Sequence, residues 1–96
     1  MPGRRRCRRV GHKPAFTAFG PVGSGGPAPD ETVLTIDEFE AVRLKDLEGL
    51  DQSECAALMD ISQPTFHRLV ITARRKIADA MTHGKTIRIA GGHYRM

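Results

Sequence analysis

The chain has 96 residues, a formal net charge of +4, and 2 cysteines. That length gives one small domain with a modest core, so we expect no large catalytic cleft and no enzymatic activity. Two cysteines make no disulfide framework, which favours a reducing cytoplasm, and the sequence has no apolar run that could span a membrane.

Residues 1–13 form a basic arm that contains five arginines. Like-charge repulsion and the lack of an apolar period predict that this arm is flexible. We expect it either to lie along DNA phosphates or in a narrow minor groove, or to be only an unstructured tail. It lacks the apolar stretch of a secretory signal and the amphipathic pattern of a transit peptide. The expected phosphate contacts in the arm are Arg4, Arg5, Arg6, Arg8 and Arg9.

Residues 14–34 predict a short strand and a loop. Phe16 and Phe19 precede the segment from Gly20 to Pro29, which holds four glycines and three prolines and is typical of a loop. Residues 33–34, and residues 87–89 in the C-terminal strand and tail (84–96), have strand patterns. The C-terminal strand pairs either with the region from Val10 to Phe19 or with a second subunit, which would make a homodimer that reads two half-sites.

Residues 35–83 predict three short helices. Thr35 and Glu38 form a capping box at the first helix, which Gly49 ends. Asp51 caps the second helix, and Ser62 caps the third. The third helix has a proline in its first turn and ends near residues 83–84, a His-Gly pair that is typical of a helix C-terminus.

A tight turn at residues 60–61 joins the last two helices. The small residue and the apolar anchors that such a junction needs are Ala56, Ile61, Phe66 and Leu69. Asp60 stands where a glycine is usual, and aspartate tolerates the left-handed backbone better than most residues. The fold class that we predict is mainly α, a three-helix helix-turn-helix domain with short flanking β-strands.

Three phrases in this region, LTIDEFEAVRLKDLEGL, ISQPTFHRLV and ARRKIADAM, resemble the DNA-binding fourth domain of bacterial sigma factors. The whole chain is also similar to a family of small prokaryotic proteins that are predicted to bind DNA and have no settled biochemical role. These proteins open with CRRV and close with KxIRIxGG, here Cys7 to Val10 and Lys85 to Gly92. The resemblance implies the fold and DNA binding. Asp60 and the loop from Gly20 to Pro29 depart from its pattern.

Charge is segregated along the chain. Residues 1–13, 14–34, 35–60 and 61–96 carry +6, −2, −6 and +6. Lys and Arg bind phosphates, whereas an acidic scaffold face points away from them, so the pattern indicates a nucleic-acid-binding protein. Together with the helices, it predicts a sequence-specific protein that binds double-stranded DNA and regulates transcription in the cytoplasm.

Two other functions stay open. The acidic residues 35–60 favour a sigma-like interaction protein that contacts RNA polymerase or another regulator without reading bases. An RNA-binding module is poorly supplied with stacking residues, since the chain has no Trp, 1 Tyr and 4 Phe. Apart from Tyr94, these aromatic residues are assigned to the core or to the first strand.

The third helix, residues 62–82, is the candidate reader. Its first turns project deepest into a major groove, so the expected base contacts are Gln63, Thr65, His67 and Arg68. Gln63 would pair with adenine and Arg68 with guanine. The expected phosphate contacts on this helix are Ser62, Thr72, Arg74, Arg75 and Lys76.

The sequence predicts no metal site, cofactor or catalytic constellation, because its cysteines and histidines lack zinc-ligand spacing. Cys7 and His12 are the one close pairing, which we interpret as an exposed thiol beside an imidazole. The basic surroundings favour a reactive thiolate, so a redox-sensing role for Cys7 is a further hypothesis. Cys55 is interpreted as a small core residue.

Overall fold

The computed structural model describes residues 7–23 and 30–96, and within these ranges it contains three helices. Helix α1 spans Ile36–Val42 and continues into a π-helical segment at Arg43–Leu47. Helix α2 spans Gln52–Met59, and helix α3 spans Gln63–His83. The helices and the short strands on both sides of them confirm the predicted mainly α class.

Each helix begins at the capping residue that the sequence predicts. The Oγ1 atom of Thr35 accepts the backbone N–H of Glu38 at 3.4 Å, and the Glu38 carboxylate accepts the backbone N–H of Thr35 at 2.8 Å. Asp51 caps α2 with a second capping box. The Oγ atom of Ser62 accepts the N–H of Thr65 at 3.3 Å. These bonds satisfy amides that the first turn of a helix leaves free.

The helix ends use the left-handed backbone where the sequence predicts it. The φ angles are +75° at Gly49, +59° at Asp60 and +68° at Gly84. Asp60 is the one residue other than glycine with a positive φ in the described ranges. It therefore supplies the bend between α2 and α3 that a glycine would ordinarily supply.

Five short strands flank the helices in the described ranges: β1 (Arg8–Arg9), β2 (Ala18–Phe19), β3 (Glu31–Leu34), β4 (Thr86–Ile89) and β5 (Tyr94–Arg95). Strand β4 lies between β2, to which it is antiparallel, and β3, to which it is parallel. Strand β1 pairs with β5 in parallel. The C-terminal strand thus pairs within the chain, with the end of the predicted region from Val10 to Phe19.

The structure corrects the prediction of a flexible arm for residues 8–11. Residues 1–6, with Arg4 to Arg6, lie outside the described residues. The N–H of Val10, however, donates to the carbonyl of Arg95 at 2.8 Å, and the N–H of Gly11 donates to Glu40 Oε2 at 2.9 Å. Val10 is also buried. The segment is held by partners that lie far along the chain, so local composition gives no signal of its order.

The core joins the helices to the sheet. Ala56 and Phe66 are buried, and Ile61 and Leu69 pack against them, as predicted for the junction of α2 and α3. A second cluster, Leu34, Ala73 and Ile89, joins strands β3 and β4 to α3. Cys55 is buried in the first cluster, which confirms its interpretation as a core residue.

Met81 and Phe16 are among the large apolar side chains that are open to solvent. Met81 in α3 is 74% exposed, because one step of about 100° from buried Ala80 turns it to solvent. Phe16 was assigned to the first strand but precedes β2 and is also 74% exposed. Phe39 and Phe66 are the phenylalanines that pack in the core.

Candidate nucleic-acid interface

Helix α3 has one covered side and one open side. Phe66, Val70 and Ala73 are buried against the rest of the protein. Since an α-helix turns by about 100° per residue, side chains at spacings of three and four residues share a side. The open side consists of Arg68, Ile71, Thr72 and Arg75, and we call it the α3 face. Two guanidinium groups and a hydroxyl thus lie along one line.

The predicted base-contact residues come together at the N-terminal end of α3. The hydroxyl of Ser62 donates to Thr65 Oγ1 at 2.9 Å, and Arg68 Nη2 donates to the same oxygen at 3.4 Å. These bonds connect the cap, Thr65 and Arg68. Gln63 and His67 are exposed beside them. Thr65 is partly buried, and the hydrogen bond to its hydroxyl orients the Arg68 guanidinium.

Arg74 is bound to a carboxylate from outside α3. Its Nη2 and Nε atoms lie 2.6 Å and 3.0 Å from the two carboxylate oxygens of Asp46 in the π-helical segment. The hydrogen bond from Arg74 lowers the pKa of Asp46, and the bond to Asp46 raises the pKa of Arg74. The pair is therefore ionised on both sides at neutral pH.

The ammonium of Lys76 already has two hydrogen-bond partners within the protein. Its ammonium donates to Glu38 Oε1 at 2.7 Å and to the carbonyl of Val33 at 2.9 Å. The Glu38 side chain is buried. Lys76 therefore stabilises the packing of α3 on β3 and α1, whereas Thr72 and Arg75 are open to solvent.

The two described arginines of the arm differ. Arg9 is exposed. Arg8 has a side chain only 19% exposed, and its Nε atom lies 3.8 Å from Asp37 Oδ2. It lines a cavity of about 460 Å³ beside the turn between α2 and α3, together with Ser62 and Thr65. Arg8 thus lies next to the start of α3 as part of the folded protein, and not on a free arm.

The ionic contacts around α3 are what sequence reasoning missed. Asp46 and Arg74 are 28 residues apart, and Glu38 and Lys76 are 38 apart. No local periodicity reports pairs at such separations. A π-helical segment often lies at a functional position, but the sequence 43–47 reads as ordinary helix, so Asp46 had no signal.

Metal binding and a reactive thiol are the other chemistry that the sequence raises. They contain no group of three or more His, Cys, Asp and Glu side chains that could hold a metal ion. Burial raises the pKa of the Cys55 thiol, so it is a poor nucleophile at neutral pH. The ring of His83 contacts Asp79 at 2.8 Å at the end of α3. The redox role of Cys7 stays a prediction.

Comparisons with known proteins give the family. The sequence profile described as "Protein of unknown function DUF134" matches residues 1–96. The UPF0251 proteins of Thermoanaerobacter pseudethanolicus and Thermoanaerobacter sp. strain X514 are each 52% identical over all of this chain and over 81% and 85% of their own lengths. That of Caldicellulosiruptor saccharolyticus is 53% identical over 98% of this chain and 66% of its own.

No solved structure matches the chain significantly. Within the described residues, no helix is both long and apolar enough to cross a membrane. The resemblance to a small prokaryotic family is confirmed by the profile and by the relatives. The chain belongs to the DUF134 family.

Proposed function

We propose that the protein binds double-stranded DNA sequence-specifically and regulates transcription in the cytoplasm, with α2, the turn and α3 acting as a helix-turn-helix. The observation that carries this proposal is the α3 face. It presents Arg68, Thr72 and Arg75 along one side of a 21-residue helix whose other side is buried. A helix of this kind has the dimensions and the charge to lie in a major groove.

In this proposal, the two ends of the α3 face have different tasks. Arg68, held by Thr65 at the helix start, reads guanine, and the exposed amide of Gln63 reads adenine. His67 lies beside them and contacts a base edge. Arg75 lies two turns farther along α3, where it binds phosphate and fixes the register. Arg9 adds a phosphate contact, as do the predicted contacts Arg4, Arg5 and Arg6.

The rival proposal is that the protein contacts RNA polymerase without reading bases. It is favoured by the acidic residues of the segment 35–60. Three of those eight acidic residues, Asp37, Glu38 and Glu40, are buried. The acidic surface that would meet a protein partner is therefore smaller than the sequence suggests, and this favours DNA as the ligand. A homodimer stays part of the proposal, but β4 already pairs on both edges, so its contact would use another surface.

The test compares three arginine variants by fluorescence anisotropy with a selected duplex and a random duplex. Arg68→Ala should cost roughly 1–3 kcal/mol on the selected duplex and relax specificity. Arg75→Ala should weaken both duplexes alike and reduce the salt slope by about 1. Arg88→Ala is the control, because Arg88 is exposed on β4 and pairs with Glu31. Equal effects of all three variants would contradict the proposal.

A further inference from the structure

One surface ion pair joins the π-helical segment to α3. It is the bidentate contact of Arg74 with Asp46, at 2.6 Å and 3.0 Å. The two side chains are 42% and 41% exposed, so a ligand can reach both. Two parallel N–H···O bonds are the geometry in which a guanidinium is most selective for an anion with paired oxygens.

A DNA phosphate offers Arg74 the same chemistry that Asp46 offers. Phosphate and carboxylate both present two oxygens to the edge of a guanidinium. Arg74 also precedes Arg75, which belongs to the α3 face and makes no ion pair within the part of the chain that the structure describes. Arg74 is one step of about 100° from Arg75 and two turns from His67, so it borders the α3 face on the side of a proposed base contact. A duplex on the α3 face would bring its backbone phosphates close to the Arg74–Asp46 pair.

We propose that Asp46 is an intramolecular competitor of DNA: it occupies Arg74 in the free protein and must release it before Arg74 binds a phosphate. This inference rests on the proposed DNA-binding function. The freed Asp46 carboxylate attracts a cation, which offsets the counterion that the phosphate releases. Asp46 therefore lowers affinity for DNA of any sequence, while the contacts of Arg68 and Gln63 are unaffected.

The pair does not open by protonation at neutral pH. Arg74 holds the pKa of Asp46 below its ordinary value, and the neighbouring Lys45 acts in the same direction. Only a competing anion can take Asp46's place. The difference in DNA affinity between the wild type and Asp46→Asn should therefore depend on salt and should not depend on pH between 6 and 8.

The experiment measures the salt dependence of binding to a random duplex for wild type and Asp46→Asn. The variant should show a salt slope steeper by about 0.9, so its advantage grows about eightfold for each tenfold decrease in salt. The control is Glu31→Gln, which removes the same charge from an exposed Arg–Glu pair on the sheet. It should change the slope much less, because the arginine that it frees, Arg88, lies on strand β4 and not on α3.

A double-mutant cycle then asks whether the gain requires Arg74. In an Arg74→Gln background, Asp46→Asn should change the affinity and the salt slope no more than Glu31→Gln changes them in the wild type. An Asp46→Asn gain that persists without Arg74, or that equals the control, would overturn the proposal while leaving DNA binding intact. Absence of any duplex binding by the wild type at low salt would overturn the proposed function, and this inference with it.

Discussion

The ammonium of Lys76 lies 2.7 Å from Oε1 of Glu38, and the same carboxylate oxygen accepts the backbone N–H of Thr35. One buried carboxylate thus caps α1 and ties it to the middle of α3. This links the helix that carries the candidate reading residues to the scaffold beneath it. Since neither bond is local to α3, the position of the α3 face depends on contacts that lie elsewhere in the chain.

Lys76→Met should therefore destabilise the fold. The substitution keeps the length of the side chain but leaves the buried Glu38 carboxylate without its cation. We expect a loss of about 2 kcal/mol, less than for a fully buried pair because Lys76 is partly exposed. Urea unfolding measures it. Arg88→Met is the matched control, since its pair with Glu31 is exposed and should contribute less than about 1 kcal/mol. Equal losses would contradict this account.

Gly92→Ala should be more costly than Gly91→Ala. Both glycines have a positive φ, +101° and +69°. A Cβ at Gly92 would clash with Asp37 and would lie 2.8 Å from the Cβ of Thr35, whereas a Cβ at Gly91 meets nothing within 4 Å. We expect roughly 2–4 kcal/mol for Gly92→Ala and about 1 kcal/mol for Gly91→Ala.

Thermal or urea unfolding of the two variants decides the matter, because both positions have a positive φ and the clash is confined to Gly92. A Gly91→Ala protein as unstable as the Gly92→Ala protein would show that backbone strain alone sets the cost. The packing of the C-terminal segment on the start of α1 would then be looser than the contacts with Asp37 and Thr35 indicate.

The turn between α2 and α3 can be tested at Asp60. Asp60→Ala and Asp60→Gly both remove the carboxylate that lies 3.0 Å from Arg95. Only alanine suffers the steric cost of φ +59°. The alanine variant should be less stable by about 1 kcal/mol in urea unfolding. Equal stability would mean that the turn relaxes to another conformation when Asp60 is replaced.

The helix boundaries could be predicted because their signals are local. Thr35, Asp51 and Ser62 cap helices through bonds to residues three positions on, and Gly49 and Gly84 end helices by their own conformation. These interactions are written in short stretches of sequence. The start and end of each of the three helices in the described ranges follow from such signals, whereas the π-helical geometry of residues 43–47 does not.

What escaped prediction depends on contacts between distant residues. Strand β1 is ordered because it pairs with β5 at the other end of the chain, and its basic composition pointed the other way. Arg74 and Lys76 read as free cations on an exposed helix, yet both meet carboxylates from the α1 region. The candidate phosphate contacts could be named from charge and spacing, but which of them are already paired could not.

Acid should weaken the fold partly through Asp79. Hydrogen bonds from Lys85, and then from His83, lower the pKa of this carboxylate. A lowered folded-state pKa gives stability that is present above the unfolded value of about 3.9 and is lost as the pH falls through the folded value. The urea midpoint of the wild type should therefore fall more between pH 5 and 3 than that of Asp79→Asn. Parallel curves would contradict the contribution of Asp79.

The most direct test of the central claim is selection of bound sequences from a random duplex pool at about physiological salt, where non-specific phosphate binding is weak. The proposal predicts an enriched motif that the wild type and Arg88→Ala share and that Arg68→Ala loses at one position. Symmetry in the motif would indicate binding by a dimer. No enrichment, with only weak and salt-dependent binding, would contradict sequence-specific reading by α3.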